Sequence, residues 1–125
     1  MRDIDSRVDI EKLMTVFYDR AFADDVIGFY FTEISHLNLE KHLPVITDFW
    51  ETVLFEKGDY HNNVVDVHKH IHALSPFKPE HFDRWAKIFC DSVDESFYGP
   101  VSEKAKQRAT SVATVMKIKF NYNEK

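Results

Sequence analysis

Glycine, proline and cysteine are all scarce in this chain. Its 125 residues include three glycines (Gly28, Gly58, Gly99), four prolines (Pro44, Pro76, Pro79, Pro100) and a single cysteine, Cys90. So few backbone breakers leave long segments with a 3.6-residue apolar period, which argues for an all-helical domain. One cysteine excludes an internal disulfide and fits a reducing compartment, with Cys90 expected to be an inert buried thiol. No run of about 18 apolar residues exists, which excludes a membrane span. The charged start "MRDIDSRVD" does not resemble a secretion signal, so a cytoplasmic location is expected. A Lys/Arg stripe is missing too: 16 bases stand against 21 acids, scattered along the chain at net charge −5, which excludes nucleic acid as a partner. Repeats, low-complexity tracts and linkers are also absent, and residues 1–125 read as one domain.

Aromatic side chains are what the sequence has in excess. Eleven Phe, two Trp and five Tyr make up 14% of a chain that is 44% apolar, too apolar to stay disordered. Such a surplus either packs a dense core or surrounds a large flat object. The first helix is predicted from about Ser6 to Ala23, with Ile10, Leu13, Met14, Phe17, Tyr18 and Ala21 on one face. "DDVIGFYF" is too brief for a full helix. The next is expected over roughly Leu39 to Lys57, with His42, Ile46, Phe49, Trp50 and Val53 on one face and Gly58 closing it. Pro44 near its start predicts a late beginning or a kink. "KGDYHNN" reads as a loop, followed by a short helix from about Val65 to Leu74. Pro79 suits the first position of a helix running to about Phe97 that buries Phe82, Trp85, Phe89 and Val93. Pro100 opens the last helix, whose face is Val101, Ala105, Ala109, Val112, Ala113, Met116 and Phe120.

The stretch "DVHKHIHAL" places His68, His70 and His72 at alternate positions. On a helix His68 and His72 lie about 40° apart, while His70 points roughly the opposite way. Three readings are open. His68 and His72 could share Zn²⁺ or Ni²⁺, although the glutamate of an HExxH motif is missing and Cys90 has no CxxC partner. All three could be solvated helix residues. One could ligate haem iron, which needs a distal helix with an inward polar residue, a wall of aromatics and a hydrogen-bond donor near the bound ligand. His42, Tyr18 and Trp85 each offer part of that pocket.

At this point the chain resembles a known family, the truncated haemoglobins, and within them group III. The resemblance runs from about Ile4 to Phe120. It rests on "LMTVFYDRAFAD", "HLPVITDFWETVLFEKGDYHNN", "DVHKHIHALSPF", "HFDRWAKIFCDSVDESFYG" and "KQRATSVATVM". The order and spacing of "FY", "H…FW…L", "Y…H" and "FDRW" carry it, and the absence of paired glycines fits group III.

The resemblance implies a two-over-two helical sandwich enclosing haem b. It implies His68 as the proximal ligand of the iron, His42 as the first polar position of the distal helix and Tyr18 as the tyrosine that hydrogen-bonds bound ligand. Phe31 would stack on the haem edge, Trp85 would complete the distal pocket, and Phe49 and Trp50 would line the cavity with Ile46 and Phe82. The family often has a proline shortly before the proximal histidine, where this chain has "NNVVDVH". His72, one turn on, is therefore the alternative ligand, and spacing from Tyr60, Phe82 and Trp85 selects His68. The expected ligands are O2, NO, CO or peroxide. Donors at Tyr18, Trp85 and His42 at about 1 to 3 kcal/mol each would slow release, favouring redox chemistry over carriage. A reductase is the expected partner, and a monomer the expected state. A haem sensor or haem-trafficking protein is the alternative within the haem reading.

Overall fold

The computed structural model describes residues 1–56 and 64–121, of which 64–67, 70 and 121 as backbone only. Gly58 and Tyr60, and the direction of the His70 ring, lie outside what is described. Among the described residues five α-helices follow in order: α1 (Arg7–Ala23), α2 (Leu39–Phe55), α3 (Val64–Leu74), α4 (Pro79–Ser96) and α5 (Pro100–Asn121). A π-helical turn over Tyr30–Ile34 links α1 to α2. There are no strands among the described residues. The helices pack as two layers, α1 with α2 over α4 with α5, and α3 lies against α5 and the π-turn.

Local chemistry explains most helix ends. Ser6 precedes α1 in an extended conformation, and the Asn38 side chain accepts the Lys41 N–H at 3.2 Å to start α2 at Leu39. Pro44 therefore sits inside α2, and the expected late start does not occur. α2 stops at Phe55, where Glu56 turns left-handed at φ 58°. The reversal expected of a glycine falls on a charged residue instead, and the Glu56 N–H still closes the last turn on the Thr52 carbonyl. Pro79 and Pro100 open α4 and α5, as their fixed φ suits the first helical position.

The core lies between the layers. Ile10, Leu13, Met14, Phe17, Tyr18 and Ala21 are all buried on α1, as the periodicity requires. The most buried stripe of α2 is Thr47, Trp50 and Leu54 rather than the whole expected face; Ile46, Phe49 and Val53 are half-buried beside it. Trp50 stacks on Phe89 at 4.6 Å between centroids, locking α2 onto α4. Each such ring contributes roughly 2 to 3 kcal/mol by leaving water. Small residues at Ala105, Ala109 and Ala113 let α5 approach α4 closely, and Met116 and Phe120 fill the wider end. Cys90 is half-buried, less enclosed than expected, and burial pushes its thiol pKa up.

The chain start is tied to the start of α5. The Asp3 carboxylate accepts the N–H groups of Val101 and Ser102 at 2.9 and 2.8 Å and the Ser102 hydroxyl at 2.6 Å. Gly99 makes that approach possible: its φ is +151°, and a Cβ there would lie 2.5 Å from Asp3 Cγ.

Candidate functional site

Between the layers lies a cavity of about 340 Å³, within the range of small-molecule and cofactor sites. All nine residues singled out from the sequence border it: Tyr18, Phe31, His42, Ile46, Phe49, Trp50, His68, Phe82 and Trp85. They come from α1, the π-turn, α2, α3 and α4, so only the folded chain brings them together.

The π-turn delivers Phe31. The Asp24 carboxylate accepts the Val26 and Ile27 N–H groups and is held by Arg84 of α4, which fixes the chain as it leaves α1. Gly28 then passes so close that a Cβ would sit 2.7 Å from the Phe22 carbonyl oxygen. The next turn widens, with the Ser35 N–H bonding the Tyr30 carbonyl five residues back at 2.9 Å. Phe31 ends up stacked on Phe22 at 5.4 Å and edge-on to Tyr18 at 5.9 Å.

Two polar groups share one wall. The Tyr18 hydroxyl and His42 Nε2 lie 2.8 Å apart and share a hydrogen bond. Burial pushes the Tyr18 phenol pKa far up, so it stays protonated. Burial also pushes the His42 pKa down, and the nearby His68 acts in the same direction. Trp85 is half-buried at the cavity, edge-on to Phe17 at 5.9 Å, and its indole N–H has no hydrogen bond among the described residues. The remaining wall is chiefly aromatic and aliphatic, including Met14, Phe17, Ile71, Phe77 and Phe89.

His68 borders the cavity from α3, with Phe77 at 6.2 Å between ring centroids. His72 is not among the residues bordering it. Its Nδ1 accepts the Phe77 N–H at 2.9 Å, and its ring packs on Phe77 and Phe120 at 5.6 and 4.8 Å. Among the described residues no three His, Cys, Asp or Glu side chains converge as a metal cluster would require. One imidazole, a hydrogen-bonded Tyr–His pair and a wall of rings form a donor set that fits a flat, largely apolar metalloporphyrin.

Sequence reasoning missed Tyr30, Phe77 and His81, all of which border the cavity. Tyr30 belongs to an apolar run without a period, and Phe77 lies in the break between helices. The polar His81 beside Pro79 was the one signal available.

No helix among the described residues is long and apolar enough to cross a membrane. No protein-family model matches the chain. It is similar to the group 3 truncated hemoglobin ctb of Campylobacter jejuni, at 32% identity over 108 residues, covering 84% of this chain and 83% of that protein. The crystal structure of the group III truncated haemoglobin from Campylobacter jejuni matches it with a TM-score of 0.83 and 25% identity, covering 100% of each chain.

Proposed function

The chain belongs to the group III truncated haemoglobins, and from that premise we propose that it binds haem b in the aromatic cavity through His68 and holds O2, NO, CO or peroxide beside Tyr18, His42 and Trp85. Membership of the family implies haem binding. The observation that carries it is the 2.8 Å Tyr18–His42 hydrogen bond on the wall of the same cavity that His68 borders.

When bound, haem iron supplies a coordination position open to small ligands and a redox couple. The chain's own residues do the rest. The His68 imidazole would hold the group from α3, and the rings of Phe31, Phe49 and Phe82 would exclude water around it. The Tyr18 hydroxyl, kept protonated by burial, donates a proton to a hydrogen bond with a ligand or with His42. The Trp85 N–H, which has no hydrogen bond among the described residues, adds a second donor at the cavity. Donors fixed in a water-poor cavity stabilise negative charge on a small ligand, because they need no reorganisation. Slow release follows, which suits redox chemistry on O2, NO or peroxide, with electrons from a reductase, better than carriage.

The purified chain is expected to show an intense Soret band that disappears in His68→Ala and persists in His72→Ala. Colourless protein holding stoichiometric zinc would overturn the reading.

A further inference from the structure

The cavity has another polar corner, where α3 ends and α4 begins, built from residues that the proposed function leaves unused. Tyr30 and His81 both border the cavity there. The Tyr30 hydroxyl lies 2.9 Å from the Pro76 carbonyl oxygen and 3.1 Å from His81 Nδ1. The Lys78 backbone N–H donates to that same Nδ1 at 3.0 Å. A nitrogen that accepts an N–H carries no proton of its own, so the neutral His81 ring holds its proton on Nε2. Nε2 has no protein partner among the described residues. Burial pushes the His81 pKa down; Glu80 resists and the nearby Lys78 ammonium adds to the push, so the ring is neutral near pH 7.

The corner therefore places an N–H donor, on a ring held through its other nitrogen and with a lysine cation close by, beside a cavity whose other surfaces are mostly rings. A carboxylate entering such a cavity requires a donor, because leaving water without one is costly. Haem b carries carboxylate side chains. Resting on the haem reading above, we propose that His81 Nε2–H binds one of the porphyrin carboxylates, with Tyr30 and the Lys78 N–H positioning the ring. The corner then retains porphyrins that carry free acid side chains in preference to neutral ones.

Haemin and its uncharged dimethyl ester separate this role from packing. Each is loaded into the apoprotein, and its loss is timed by transfer to excess apo-globin acceptor. The informative variant is His81→Asn, whose Oδ1 can still accept the Lys78 N–H while the Nε2 donor is gone. It is expected to lose haemin about tenfold faster, the equivalent of one charge-assisted hydrogen bond, and to lose the ester at the wild-type rate. Equal acceleration of both porphyrins, or of neither, overturns the proposal. Wild-type apoprotein that takes up neither porphyrin refutes the haem reading itself, a distinct result.

Discussion

The Tyr18 hydroxyl and His42 Nε2 lie 2.8 Å apart, joining α1 to α2 by one hydrogen bond across the cavity wall. Neither residue is charged near neutrality: burial raises the Tyr18 pKa, and burial chiefly lowers that of His42. Removing the hydroxyl in Tyr18→Phe deletes a donor without changing the shape of the ring. In the haem-loaded chain O2 should dissociate about ten times faster, the effect of one buried hydrogen bond. Stopped-flow measurement of O2 release checks this. A rate unchanged from wild type would remove Tyr18 from the ligand site.

A second prediction concerns a buried hydroxyl without a partner among the described residues. Thr47 is fully buried on α2, and its Oγ1 makes no hydrogen bond to any of them. Thr47→Val keeps the branched shape and removes the desolvated oxygen. The variant should be more stable by about 1 kcal/mol in urea titration, with an unchanged m-value. A loss of stability would mean the hydroxyl is satisfied in solution.

The helices were legible in the sequence because burial writes a 3.6-residue period and proline marks helix starts. Pro79 and Pro100 stand at the predicted starts of α4 and α5. The bordering of the cavity by Tyr18, His42, His68 and Trp85 was legible through resemblance, since singly each suits a core equally well. What stayed hidden depends on contacts between residues distant in the chain. Tyr30 meets Pro76 and His81, 46 and 51 positions away, and nothing local announces either partner. The left-handed end of α2 fell on Glu56 although Gly58 was the conformationally easier residue. Thr47 was invisible as a core residue because polarity argues against burial.

The clamp at the start of α5 gives a third prediction. Asp3 Oδ1 and Oδ2 together receive the Val101 N–H, the Ser102 N–H and the Ser102 hydroxyl. Asp3→Ala leaves those donors without the carboxylate and should cost about 1 to 2 kcal/mol, as a lost N-cap does. Gly99→Ala should cost at least as much, because its φ and the Asp3 side chain both oppose a Cβ. Thermal melts of the two variants and the double mutant check this. Effects that add fully would show that the residues do not share one contact.

Acid should unfold the chain through the same end of the molecule. The Arg2 guanidinium hydrogen-bonds the Asp9 carboxylate, which also accepts the Asp5 N–H at 2.9 Å. The Arg2 bond is the main cause that lowers the Asp9 pKa from 3.8 to about 2, against the opposing effect of burial. Because the folded value lies below the unfolded one, the folded state binds fewer protons between them. The pair's contribution is thus complete above about pH 4 and lost as the pH falls from 3.8 through about 2. Asp9→Asn should be less stable than wild type at pH 7, and the difference should shrink steadily below pH 4. Urea titrations at pH 7, 4, 3 and 2 test this; a stability gap that stays constant across the series would mean the carboxylate's charge plays no part in holding the N-terminal segment.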